Sequence, residues 1–233
     1  MDTKNSALRL LFLIVCSFLL INCGSDSDMV NPSYWRDLFS DSFDRHDAHL
    51  GCCWSTVVDG GSFKVLDNKA HIIKNGATPT ATYVSYIGLN NIRISVNVDV
   101  SGDATTDVYS GPAFVFARSD NDESADVNSY VCGYYGSSSK ISIGIYEEGV
   151  YSSLSDTTAD FVLPDGTSSS LIFELNDSSL TCSFAGDPDI SADTNLSVTT
   201  TDGTHRDGFA GMGGGQDNAP YLYFDNFLIK FYE

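Results

Sequence analysis

Positive charge is what this sequence has least of: 12 Lys and Arg stand against 31 Asp and Glu, a formal charge of −19 over 233 residues. A field of that sign repels phosphate backbones and anionic lipid headgroups, which argues against nucleic acid as a partner. Proline is scarce, at six residues. Past the N-terminus no stretch carries the apolar stripe of an amphipathic helix, and no fixed-period repeat appears. No C-x-x-C or Cys/His spacing marks a zinc site. One long apolar run exists, residues 10–21, and it is too short to cross a bilayer comfortably.

What is present is a strand vocabulary. From about Leu38 onward the apolar period is two. Ile92, Ile94, Val96, Val98 and Val100 alternate with Arg93, Ser95, Asn97 and Asp99, the pattern of a strand with one dry and one wet face. Ile141, Ile143 and Ile145 alternate with Ser142, Gly144 and Tyr146. Leu171, Phe173 and Leu175 lead through Asn176-Asp177-Ser178-Ser179 into Leu180, Cys182 and Phe184, which reads as a hairpin. Further strands are expected over residues 38–44, 62–66, 70–73, 82–88, 113–118, 129–135, 160–163, 195–200, 207–212 and 221–231. So many short strands, with 42% hydrophobic residues to fill a core, call for a sandwich or barrel.

The first residues read as an address. Lys4 and Arg9 form a cationic head, residues 10–21 an apolar middle, and Leu20-Ile21-Asn22-Cys23-Gly24 resembles a bacterial lipoprotein signal. That resemblance implies cleavage after residue 22, lipid on Cys23, and a tether over residues 23–36. The rest, residues 37–233, is expected to form one domain in the cell envelope, at the outer membrane or cell surface. The mature chain would then hold Cys52, Cys53, Cys132 and Cys182, an even number suited to two disulfides in an exported domain. A bond between the adjacent Cys52 and Cys53 demands a strained ring, so each is expected to reach Cys132 or Cys182.

Phrases at the two ends of the chain carry a further likeness. Phe39-Ser40-Asp41-Ser42-Phe43-Asp44-Arg45, followed by Asp47, Leu50-Gly51 and Trp54, resembles the opening of bacterial concanavalin A-like (laminin G-like) domains. Gly208-Phe209-Ala210-Gly211 and Tyr223-Phe224-Asp225-Asn226-Phe227-Leu228-Ile229 resemble their last two strands. The resemblance implies an all-β jelly-roll sandwich of two antiparallel sheets whose concave face often holds sugar. Hydrolases of that fold carry an E-x-D-x-E triplet on one strand face. No such triplet occurs among Glu123, Glu147, Glu148, Glu174 and Glu233. A non-catalytic module for a glycan, or for a matrix or host component, is therefore expected ahead of a hydrolase or lyase with non-standard residues or a purely structural envelope protein.

Three groups are candidate sites. Arg118, Tyr134, Tyr135, Tyr146 and Tyr151 fall on strands that the resemblance places centrally, and aromatic faces with planar polar groups suit sugars. Asp41 and Asp225 each share a strand face with phenylalanines. If the first and last strands pair, as the resemblance implies, their charges must be satisfied by a structural Ca²⁺, by Arg45 or by backbone N–H groups. The acidic run from Asp120 through Asp126 is a weaker calcium candidate.

Overall fold

A computed structural model describes residues 35–46, 49–57, 61–74, 80–101, 112–120, 127–135, 140–158, 167–185, 195–214 and 221–232. Residues 1–34, and with them Cys23 and the expected signal, lie outside that set. So do the expected strand at 160–163 and the acidic residues at 121–126. Arg36–Phe231 make one compact unit. Of the second, formed by the two chain ends, the described part is Trp35 set edge-on against Tyr232 at 5.4 Å.

Fifteen strands are described: β1 (Trp35–Asp41), β2 (Ser55–Val57), β3 (Gly61–Leu66), β4 (Lys69–Lys74), β5 (Thr80–Ile87), β6 (Ile92–Ser101), β7 (Pro112–Ser119), β8 (Ser129–Tyr135), β9 (Lys140–Glu147), β10 (Val150–Thr158), β11 (Thr167–Asn176), β12 (Ser179–Ala185), β13 (Asn195–Thr201), β14 (Gly208–Gly214) and β15 (Tyr221–Tyr232). They form two antiparallel sheets. One runs β13-β12-β11-β6-β15-β4-β3, with β1 also on β15; the other runs β10-β9-β8-β7-β14-β5-β2. First and last strands pair, as the jelly-roll resemblance implies.

Local chemistry dictates this layout. In β6 the side chains of Ile92, Ile94, Val96 and Val98 are buried while their polar alternates face outward. Tight hairpins need positive φ at both turn residues, as Asp67 and Asn68 supply between β3 and β4, and Glu148 and Gly149 between β9 and β10. The glutamates at 147 and 148 thus end a strand and make a turn. The inner faces of the two sheets meet in one core, with Tyr130, Tyr134, Phe173, Phe184, Phe224 and Phe227 among its largest members.

The cysteine pairing differs from expectation. Cys132 of β8 bonds Cys182 of β12, with Cα atoms 5.3 Å apart, while Cys52 and Cys53 are exposed free thiols. Alternation explains the correction: both bonded residues lie in phase with core side chains on facing sheets, so their sulfurs meet in the middle. The turn carrying Cys52 and Cys53 lies on the surface and cannot deliver a sulfur there.

Candidate ligand-binding face

Along the seven-stranded sheet, Ala113, Val115, Ala117, Tyr130, Cys132, Tyr134, Ile141, Ile143 and Ile145 point inward. Their alternates form the outer face. On it, Tyr146 of β9 stands opposite Tyr151 of β10, Gly144 opposite Ser153, and Ser142 opposite both Asp156 and the Gly133 of β8. Tyr135 ends the β8 row, beyond Gly133.

Three hydroxyls converge here. Tyr135 is hydrogen-bonded to both Tyr151 and Ser142, and Ser142 Oγ lies 3.2 Å from the Tyr151 hydroxyl. The Tyr151 ring stands 5.3 Å from that of Tyr146 at a steep angle. Burial, reinforced by Tyr151, pushes the Tyr135 phenol well above its usual range, and burial also raises Tyr146. Both are neutral donors at any physiological pH. Val131 and Ser142 floor the site at 4% and 5% exposure, whereas Tyr151 is 38% exposed.

Glycine makes the seating possible. A Cβ at Gly144 would stand 2.2 Å from the Tyr151 ring, so the ring lies flat on the strand only because that atom is missing. At Gly211 the missing Cβ would meet the Thr82 backbone oxygen at 2.1 Å and a ring atom of Phe116 at 2.6 Å. A glycine within a strand marks such a close approach. Farther across, Tyr83 and Phe209 meet edge to face at 5.1 Å. The described carboxylate on the tyrosine end of this face, Asp156, is held by Lys140 at 3.3 Å. The site is therefore aromatic and hydroxylated.

Arg118 and Tyr134 sit elsewhere. Tyr134 is buried and stacks on Phe184 across the core at 5.2 Å. Arg118 has φ +53°, where the pairing register of β14 with β7 also slips, and this turns its side chain out of the Phe114 and Phe116 row. Its guanidinium is buried and donates to three backbone carbonyls: Asn90 at 2.6 Å, Asp177 at 2.8 Å and His205 at 2.9 Å. It ties three loops together. His205 in turn lies with Nε2 3.0 Å from the carbonyl oxygen of Tyr146, which links that clamp to the tyrosine face.

No protein-family model matches the chain, and no curated protein matches it. Solved structures do. The carbohydrate-binding module CBM66 from Bacillus subtilis superposes with a TM-score of 0.59 at 14% identity, covering 76% of this chain and 95% of that one. Lectin II from Ulex europaeus gives 0.57 at 16%, covering 84% and 99%. The exoplasmic/lumenal domain of VIP36, in a Ca²⁺- and Man3GlcNAc-bound form, gives 0.55 at 13%, covering 82% and 89%. This is a lectin-like β-sandwich. At such identities the likeness is one of fold, and function has to come from the sandwich's own residues.

Asp41 is held by N–H donors rather than by a metal. In this sandwich its carboxylate accepts four N–H groups: Phe43 N at 2.8 Å, Arg45 Nη1 at 2.7 Å, Arg45 Nη2 at 2.9 Å and Trp54 Nε1 at 2.7 Å. Each oxygen of Asp41 thus has its lone pairs taken by two N–H donors, so a cation could bind there only by displacing at least one of them. Asp225 is satisfied separately. It accepts the backbone N–H of the next residue, Asn226, at 2.7 Å where a β-bulge begins, and burial raises its pKa. Asp120 is bonded to Asn128. Among the described residues no group of three His, Cys, Asp or Glu is placed to hold a metal.

A cleft of 410 Å³ opens beside β1 and the β15 bulge, lined by Asp37, Ser40, Ser42 and Asn226 among others. It offers no exposed aromatic ring for stacking, since its one phenylalanine, Phe227, is buried. Glu174 is held by Arg93 at 3.1 Å on the opposite sheet, far in sequence and register from the tyrosine face. The signal that would have found Ser142 and separated Tyr135 from Tyr134 was in the sequence: small residues Ser129, Gly133, Ser142 and Gly144 share a phase with Tyr135 and Tyr146.

Proposed function

We propose that this protein binds carbohydrate through the outer face of its seven-stranded sheet, without catalysing a reaction on it. The convergence of Tyr135, Tyr151 and Ser142 hydroxyls beside the Tyr146 ring carries the reading. A sugar presents apolar C–H patches on its faces and hydroxyls around its rim. The rings of Tyr151 and Tyr146 supply the stacking surface, and three hydroxyls that bond one another can re-pair with a sugar hydroxyl at little cost. Support also comes from the folds it resembles, which include a carbohydrate-binding module and a lectin solved with galactose. The strong net negative charge of the chain favours neutral glycans over acidic ones.

The test is a glycan array probed with the purified protein, followed by titration of the strongest neutral hit. Tyr146→Ala and Tyr151→Ala are each expected to weaken binding about tenfold or more, the loss of roughly 1.4 kcal/mol of contact. Undiminished binding in both variants rejects the site.

The partner would be a glycan of an extracellular matrix, a host surface or the cell's own envelope. A lipid anchor on Cys23 is part of the same proposal, supported by the sequence pattern of residues 4–24. A fatty-acid probe should label the protein in cells and fail to label Cys23→Ser; equal labelling of both removes the anchor from the account.

A further inference from the structure

Four cysteines fall within the described residues, and two of them, Cys132 and Cys182, are joined across the core. A chain with such a cross-link matures where thiols are oxidised, so the remaining pair meets the same oxidants. Cys52 and Cys53 occupy the turn between Gly51, at φ +89°, and Trp54, with Cys53 itself at φ +78°. In an extended chain successive side chains diverge to opposite faces. Here the positive φ of Cys53 brings them to one side, with the Cys53 thiol directed at Cys52 Sγ over 3.5 Å. Both are exposed.

The turn is fixed at its two ends. Arg45 donates to the Leu50 carbonyl on one side. On the other, Trp54 donates to Asp41 at 2.7 Å and packs against Phe39, Phe43 and Phe227. Anchors directly before and after the pair leave the two sulfurs little room to separate. We infer that Cys52 and Cys53 close to a second disulfide between adjacent residues, one that opens under milder reduction than the core cross-link.

The chemistry balances with a small-molecule disulfide as oxidant. One cysteine thiolate attacks a sulfur of oxidised glutathione, expelling one reduced glutathione and leaving a mixed disulfide. The second thiolate attacks the cysteine sulfur of that adduct and expels another reduced glutathione, which completes the two-electron oxidation. Adjacent Cα atoms stand about 3.8 Å apart. That is below the span of roughly 4.4–6.8 Å in which a disulfide is relaxed, so the ring is strained. Exposed, strained disulfides are the reducible, regulatory kind, whereas Cys132 and Cys182 are walled off between the sheets.

The experiment equilibrates the full chain in glutathione buffers of increasing reduced fraction, quenches with acid, alkylates, and maps peptides by mass spectrometry. In oxidised buffer the peptide holding Cys52 and Cys53 should resist alkylation and weigh less than its reduced form by two hydrogens. It should open while Cys132–Cys182 is still closed. Cys52→Ser should turn Cys53 into an alkylatable thiol or a glutathione adduct with the core cross-link intact. Full alkylation of both thiols in oxidised buffer overturns the inference, as does linkage of either to Cys16, to Cys23 or to another chain, or joint opening of the two disulfides.

Discussion

At the residue scale, adjacent tyrosines do opposite jobs. Tyr134 fills the core against Phe184 and Tyr135 offers its hydroxyl to Tyr151 and Ser142. Period two separates them, and the phase shared with Gly133 and Ser129 identifies the outward one. Gly144 gives the sharpest test of that arrangement. Gly144→Ala places a methyl 2.2 Å from the Tyr151 ring, which is exposed enough to swing away. Thermal unfolding should register about 1 kcal/mol or less, while glycan affinity falls as far as in Tyr151→Ala. Retained affinity would mean the seated ring is not part of the site. Arg118 was legible as a candidate site residue, but not as a clamp, because the positive φ that redirects it leaves no mark in hydrophobic periodicity. Arg118→Met strips three backbone carbonyls of their donor. A loss of about 3 kcal/mol is expected, read as a melting temperature lower by roughly 6–12 °C.

At the scale of elements, strands with one wet face and one dry face announce themselves. β6, β9, β11 and β12 carry strict alternation, and their predicted extents agree with the structure to within a few residues. β10 does not. Its sequence VYSSLSDTT holds a single isolated apolar residue after its start, Leu154, which a bulge between Ser153 and Ser155 turns onto the core. An edge strand that buries so little has no reason to alternate, yet it delivers Tyr151 to the site. β2, only three residues long, is too short to show a period. The cross-link between β8 and β12 was misjudged because cysteine spacing says nothing about which sheet faces which. It closes 50 residues of sequence, so the double variant Cys132→Ala with Cys182→Ala should cost about 4 kcal/mol in denaturant unfolding. An unchanged midpoint would show that the sandwich does not depend on it.

At the scale of the whole molecule, acid should loosen the fold through a particular histidine. Burial lowers the pKa of His71, which stacks on Tyr223 at 4.8 Å with Nδ1 3.3 Å from the Leu222 carbonyl oxygen. The unfolded chain therefore binds that proton at a higher pH than the native one. Stability is held above the ordinary histidine value of 6.5 and lost as pH falls toward the depressed native value. His71→Gln should flatten this limb of a melting-temperature profile, which carries at most about 1.4 kcal/mol per pH unit. Asp225 works in the opposite sense, because burial raises its pKa and its protonation favours the fold at lower pH.

The sandwich as a whole has two outer sheet faces, and the proposed sugar site occupies one of them. Calorimetric titration of the best neutral glycan into wild type, Tyr151→Ala and Thr199→Ala separates the faces, since Thr199 lies on the exposed hydroxyl-paired surface of the other sheet. Affinity should fall about tenfold or more in Tyr151→Ala and stay unchanged in Thr199→Ala. Loss in Thr199→Ala with full retention in Tyr151→Ala would contradict the assignment.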